Sequence, residues 1–292
     1  ERDFEMKDIG VLVIHGMGSQ GRVAPPTTDT LSYSKDMHNR VASFVGGTMD
    51  RVAWREVFWA DVLQSRQEAY LKSIKRRTDF DKLRAFVMCN LSDAASYRPT
   101  SDQNDKTYEQ IHARIDRTLA DLEGDIGPDA PILVLAHSLG GHIMSNYVYD
   151  QQAHIRHTGQ GRFAAAVQNT QTIAGLITFG CNIPVFVFAY PAGEVRPINY
   201  PGTALDPKLQ FKTWWYNLYD RDDVLGFPLR DIGPRYAELH DAKGLRDVPV
   251  NAGGFLGSWN PASHNAYWKD EDVYKPVGRF IENMRRGVDA IG

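Results

Sequence analysis

The chain has 292 residues, of which 42% are hydrophobic and 24% are charged, and its formal net charge is -3 at pH 7. These are the values of an ordinary globular protein, and they exclude collagen-like, disordered and coiled-coil classes. A nucleic-acid binder usually has a basic excess, so no nucleic-acid partner is expected. The chain has no run of about 18 apolar residues, which excludes a membrane-spanning helix of the usual kind.

Cysteine content and the N-terminal residues bear on the compartment. With only Cys89 and Cys181, the chain has no disulfide scaffold, and reduced thiols in the cytoplasm are expected. Residues 1–8 lack the apolar core of a signal peptide. The chain does not begin with Met, so a signal peptide that has been removed stays an open alternative.

Short apolar runs alternate with amphipathic stretches along the whole chain. The continuous apolar run 9–14 is typical of a parallel strand that is buried on both faces. The same criteria predict strands at 9–14, 52–59, 132–136, 176–179, 212–219 and 248–251, and helices at 28–45, 103–123, 139–150 and 271–286. The alternation predicts a single α/β domain over 1–292, with a mostly parallel central sheet flanked by helices.

The segment 62–92 has a different pattern, because seven basic residues are interleaved with apolar ones at helical spacing. We expect an amphipathic, basic helical insertion. Three interpretations stay open: a surface helix with a solvated charged face, a lid over an active site, and a helix that meets a membrane surface or a partner.

The segment Ala136-His137-Ser138-Leu139-Gly140 lies between a predicted strand and a predicted helix. Small residues two positions before and after Ser138 suit a tight strand-to-helix turn that presents the serine hydroxyl at the top of the sheet. Free N–H groups and the positive dipole end of the following helix favour a developing oxyanion at the same point. Ser138 is therefore the candidate nucleophile. The usual motif has Gly where this chain has Ala136, a difference of one methyl group.

Together with other segments, this motif resembles the α/β-hydrolase superfamily, and the opening His-Gly-Met-Gly-Ser-Gln is similar to that of bacterial esterase-like and lipase-like members. The likeness rests on segments 14–18 and 136–140, on the acidic turn 220–223 and on His264. It implies the α/β-hydrolase fold and hydrolysis of carboxylic esters through an acyl-enzyme intermediate. It also implies an oxyanion hole formed by the backbone N–H groups of Met17 and Leu139.

In such hydrolases the acid and the base follow the serine in the order Ser, Asp, His. Asp220, Asp222 and Asp223 all lie at the end of the predicted strand 212–219. Asp223 fits best, because two apolar residues and then Pro-Leu follow it as in related hydrolases; Asp222 is the runner-up. The base is expected in the loop after the last strand, which favours His264 over His240.

Two other patterns are typical of cofactor or metal sites, but the residues around each argue against such a site. The segment 16–21 has the spacing of a dinucleotide fingerprint, but Pro25 and Pro26 prevent the helix that this motif needs. His154 and His157 have helical spacing without a Cys or acidic partner, so no metal site is expected. The predicted reaction requires no cofactor.

The sequence thus predicts an enzyme that acts on a small-molecule ester. Its alternatives are another acyl hydrolase, such as a thioesterase, an amidase or a phospholipase, and a non-catalytic binding protein on the same fold. No sequence feature specifies an oligomeric state.

Overall fold

The computed structural model describes residues 6–16, 30–63, 69, 72, 93, 95–100, 105–188, 190–252 and 263–292, with residues 263–265 described by their backbone alone. Its centre is a six-stranded sheet in which every neighbouring pair of strands is parallel. The strands are β1 (Ile9–Ile14), β2 (Val52–Val57), β3 (Ile132–His137), β4 (Ile173–Phe179), β5 (Trp215–Asp220) and β6 (Leu245–Val250). Their order across the sheet is β2-β1-β3-β4-β5-β6.

Helices connect the strands. Those with described bounds are α1 (Lys35–Val45), α2 (Thr107–Ile126), α3 (Leu139–Thr158), α4 (Ile183–Val187), α5 (Pro234–Asp241) and α6 (Glu271–Ile291). Short 3-10 helices lie at Gly46–Arg51, Pro207–Leu209, Arg230–Ile232 and Ser263–Lys269. Among the helices of the described ranges, none is both long enough and apolar enough to cross a bilayer.

Both faces of the sheet are covered, which explains why the strand sequences are apolar without a break. Leu12 and Ile14 of β1 belong to one core cluster, which they share with α2 and α3. Val11 and Val13 point the other way and join a second cluster with α1 and α6. The predicted fold class, α/β with a parallel sheet flanked by helices, is therefore confirmed, and the arrangement is consistent with the α/β-hydrolase fold.

The order of the strands reverses at β1. The chain proceeds from β1 to β2 on one side, and β3 then pairs with β1 on its other side. In open parallel sheets, such a switch point leaves a crevice beyond the carboxyl ends of the two strands, where ligands bind. The residues that leave β1 and β3 at this crevice are His15 and Ser138.

The predicted elements are present with shifted ends. The helix predicted over 28–45 begins only at Lys35, and residues 30–34 are bends and irregular chain. The cause is Glu56, whose carboxylate accepts the backbone N–H and the hydroxyl of Ser32 and of Ser34 at 2.6–2.8 Å. These N–H groups bond to a side chain instead of a helical carbonyl, so the helix starts after them.

Other ends moved outward because pairing and capping extend beyond the apolar residues. Helix α3 continues past the predicted end near residue 150 to Thr158, and it stops at Gly159, which has a left-handed φ of 76°. Strand β6 begins at Leu245, three residues before the prediction, because Leu245 pairs with Trp215 of β5.

One further contact fixes the sheet edge to a helix. The guanidinium of Arg55 in β2 donates from Nε and Nη2 to the two carboxylate oxygens of Asp125 in α2, at 2.6 and 2.8 Å. Both side chains are about nine-tenths buried. The predicted helical insertion 62–92 lies almost wholly outside the described residues and stays a prediction.

Candidate active site

Ser138 occupies the turn between β3 and α3. Its φ of 54° and ψ of -125° are unusual for a residue with a side chain, and the residue is fully buried. A backbone of this kind costs about 1–3 kcal/mol and persists only where the surroundings hold it. The Ser138 N–H donates to the carbonyl of Phe179 in β4 at 3.0 Å, which secures the turn to the sheet. This is the strand-to-helix turn that the sequence predicts.

Two glycines make the turn possible by letting backbone approach it. A Cβ on Gly16, just after β1, would lie 2.3 Å from the Ser138 Cβ and 2.9 Å from its Oγ. A Cβ on Gly140 would lie 2.7 Å from the His15 carbonyl oxygen. The ends of β1 and β3 therefore touch at the switch point, and only hydrogen at these two Cα atoms permits the contact.

Leu139 is the first residue of α3, a helix of 20 residues. The first N–H groups of a helix have no carbonyl partner within it, and they carry its positive partial charge. Helix α3 thus directs backbone donors to the region beside Ser138, where the Leu139 N–H was predicted to bind an oxyanion. The second predicted donor, Met17, lies outside the described residues.

His15 holds the chain where it leaves β1. The Trp59 backbone N–H donates to His15 Nε2 at 3.2 Å, which makes Nδ1 the protonated nitrogen, and this Nδ1–H donates to the Gly16 carbonyl at 2.7 Å. The imidazole is buried and stacks on the Trp59 indole with ring centres 4.9 Å apart. Gly16 is thereby fixed against Ser138.

The three predicted acids have different environments at the end of β5. Asp222 is exposed. Asp220 is buried at the last position of the strand, and its Oδ1 accepts the Asp222 N–H at 2.9 Å. Asp223 is also buried, and its Oδ1 accepts the Leu225 N–H at 3.0 Å. Asp223 and Ser138 both lie at the carboxyl edge of the sheet, after β5 and β3.

Tyr267 joins this acidic turn to the chain after β6, a contact that sequence reasoning missed. Its hydroxyl donates to Asp223 Oδ2 at 2.9 Å and accepts the Asp220 N–H at 2.9 Å. Burial, and secondarily the charge of Asp223, raise the pKa of the Tyr267 phenol far above its usual value, so the hydroxyl keeps the proton that it donates. Its ring lies 6.0 Å from that of His137, the residue before Ser138.

His264 lies in the 3-10 helix Ser263–Lys269, which follows β6 and also contains Tyr267. The position agrees with the order Ser, Asp, His along the chain. The role predicted for the His264 imidazole concerns a side chain outside the described part of the structure, and it stays a prediction. The sequence carries no signal of the Tyr267 contact, because Tyr267 and Asp223 are 44 positions apart.

Cys181 lies beneath the turn and is unsuited to be the nucleophile. A Cβ on Gly141 would lie 2.7 Å from its Sγ, so the thiol packs under the first turn of α3. Complete burial raises the pKa of the Cys181 thiol to about 12. A protonated, inaccessible thiol acts as a small core residue.

Comparisons with known proteins return little. No protein-family model matches the chain, and no curated protein matches it. Among solved structures it is similar to EstE1, which is described as a thermophilic and thermostable carboxylesterase cloned from a metagenomic library. That alignment covers 97% of this chain and 81% of the other, with 14% identity and a TM-score of 0.39. At this level the likeness carries no information on activity.

Proposed function

We propose that this protein is a serine hydrolase that cleaves carboxylic esters through an acyl-enzyme intermediate, with Ser138 as the nucleophile. The observation that carries the proposal is the strained, buried turn at Ser138. Non-glycine residues with such a backbone cluster at functional sites, where the strain aims a side chain. Here the turn stands at the switch point of the sheet and at the start of a long helix.

Asp223 is the acid that suits this mechanism best. It is buried, as an orienting carboxylate needs to be, whereas Asp222 is exposed. A carboxylate has about four acceptor sites, and the donors described so far, at Leu225 and Tyr267, leave capacity for an imidazole N–H.

His264 is the proposed base. Positions three residues apart lie one above the other along a 3-10 helix, so positions 264 and 267 share one side of Ser263–Lys269. Because Tyr267 bonds to Asp223, this side of the helix is the one turned toward the acid. Its position within this helix therefore supports His264 as the base.

The reaction then follows the usual course of acyl transfer. His264 takes the proton from Ser138 Oγ while Oγ forms a bond to the ester carbonyl carbon. The carbonyl oxygen becomes an oxyanion that accepts from the N–H groups of Leu139 and Met17, each donor contributing about 3 kcal/mol. Collapse breaks the bond to the alcohol oxygen, which receives the proton from His264. Water repeats the two steps and releases the acid.

The test is hydrolysis of p-nitrophenyl esters of increasing acyl length, together with labelling by a fluorophosphonate. Wild type and Ser43→Ala, which alters an exposed serine of α1, are expected to hydrolyse esters and to be labelled. Ser138→Ala is expected to lose both properties while it keeps its circular dichroism spectrum. Labelling that persists in folded Ser138→Ala would show that the nucleophile is another residue.

A further inference from the structure

Ser138 lies at the carboxyl ends of the strands. A cleft of about 640 Å³ lies at the other end of the sheet, near the amino end of β5. Trp214, which directly precedes β5, and Tyr200 belong to its lining, together with the second half of α3 around Gln152. Gln152 comes fourteen residues after Ser138 along α3, which at the helical rise places the two about 20 Å apart. The cleft is therefore separate from the candidate active site.

The cleft has an excess of positive charge in a chain whose net charge is negative. Its lining includes the arginines at 156, 196 and 235 and a single carboxylate, Glu238. Arg235 donates to Glu238 at 3.0 Å, so this pair is neutral. Within the described part of the chain, neither Arg156 nor Arg196 has a carboxylate oxygen within 4.0 Å. Two guanidinium groups therefore face the cleft without a carboxylate partner among the described residues.

Part of the wall is apolar, and hydrogen bonds join two of its elements. Ile198 and Trp214 are buried, and the Tyr200 ring meets the Trp214 ring edge-on at 5.6 Å. Gln152 and Asn199 exchange two hydrogen bonds, from Gln152 Nε2 to the Asn199 carbonyl at 2.9 Å and from the Asn199 N–H to Gln152 Oε1 at 3.1 Å. Helix α3 is thus tied to the segment that carries Arg196, which fixes the backbone of these two parts of the cleft relative to each other.

An aromatic surface stands beside these charges. Tyr149 is 47% exposed although it is large and apolar, and the Arg156 guanidinium lies over its ring at 5.6 Å. Such a pair offers a flat surface on which a ligand ring can stack. Inorganic phosphate would fill little of the cleft, whose volume is that of sites for small organic ligands.

We propose that this cleft binds a phosphate monoester that carries a flat ring, the chemistry of a nucleoside monophosphate. A phosphate monoester has a charge of about -1.5 to -2 at pH 7, which matches the two guanidinium groups of Arg156 and Arg196. The ring lies against Tyr149. Binding here is independent of the proposed ester hydrolysis, since no residue of the cleft belongs to the candidate active site.

The experiment is isothermal titration calorimetry of the full chain with AMP as the probe, with adenosine and inorganic phosphate as its parts. AMP is expected to bind more tightly than either part. Arg156→Gln and Arg196→Gln are each expected to weaken AMP binding by about tenfold or more. Arg286→Gln, which removes an exposed arginine of α6, serves as the matched control and is expected to leave the affinity unchanged. Circular dichroism establishes that each variant is folded.

Three results would overturn the proposal. They are no AMP binding at millimolar concentration, adenosine binding as tightly as AMP, and an AMP affinity in both arginine variants that equals that of wild type. Ser138→Ala adds a test of location, because it is expected to bind AMP like wild type. Loss of AMP binding in this variant would place the ligand at the candidate active site instead.

Discussion

Tyr267→Phe removes one oxygen atom from the junction between the acidic turn and the chain after β6. The ring stays, so the packing against Phe179 and His137 is preserved. Two hydrogen bonds are lost, the one that Tyr267 donates to Asp223 and the one that it accepts from the Asp220 N–H. The variant therefore isolates the polar part of the junction.

The cost follows from these two bonds. A hydrogen bond to a buried charged group contributes about 1.5–3 kcal/mol, and a buried N–H left without a partner costs about 1–3 kcal/mol. Since part of each loss is recovered when water or neighbouring groups adjust, we expect the free energy of unfolding to fall by about 3 kcal/mol. Under the proposed mechanism kcat falls as well, because Asp223 is less firmly held, whereas KM is expected to stay within about twofold because the Tyr267 side chain is buried.

Equilibrium unfolding in urea, followed by tryptophan fluorescence and by circular dichroism, measures the change. Tyr274→Phe is the matched control, because Tyr274 is a partly buried tyrosine of α6 whose hydroxyl has no hydrogen bond among the described residues. A free energy of unfolding within about 0.5 kcal/mol of wild type in Tyr267→Phe would refute the reasoning, since surface substitutions alone give changes of that size.

Three more predictions concern the site and its surroundings. Asp223→Asn is expected to lower kcat for p-nitrophenyl esters by about 10³–10⁴-fold, whereas Asp222→Asn, at an exposed position, stays within about twofold; the reverse order would make Asp222 the acid. Gly16→Ala puts a methyl group 2.3 Å from the Ser138 Cβ and should reduce both stability, by about 1–3 kcal/mol, and esterase activity, which urea unfolding and kinetics test together. Burial lowers the pKa of His142 from 6.5 to about 4. The contribution of neutral His142 to stability is therefore fully present above pH 6.5 and is lost as pH falls toward 4, by up to about 1.4 kcal/mol per pH unit. The free energy of unfolding in urea should differ less between pH 7 and pH 5 in His142→Gln than in wild type.

The sheet and the turn at Ser138 were predictable because their sequence signals are local, although distant groups hold the turn in place. Strands covered on both faces are apolar without a break, as in residues 9–14, and small residues two positions before and after Ser138 are typical of a tight strand-to-helix turn. The ends of elements were less predictable, because they depend on partners distant in sequence. Glu56, which lies in β2, delays the start of the first helix by binding Ser34. Trp215 of β5 extends β6 by pairing with Leu245.

The environment of the acidic turn was not available from the sequence. The three aspartates lie within four positions and have identical side chains. Only the folded chain makes Asp222 exposed and Asp223 buried. The contact from Tyr267 to Asp223 joins residues 44 positions apart. Spacing along the chain carries no record of such a pair, because it arises when the 3-10 helix after β6 packs on the end of β5.

The carboxylate of Glu56 has a consequence for hydrogen exchange. Amide protons in irregular segments usually exchange quickly with solvent, because no helix or strand protects them. The N–H groups of Ser32 and Ser34 are bonded to a buried carboxylate at the end of β2, so both should exchange as slowly as those of the neighbouring strand. In an exchange experiment, the Ser32 and Ser34 amides would report the opening of β2 at the edge of the sheet. Glu56→Gln should make these two amides exchange faster than the amides of β2.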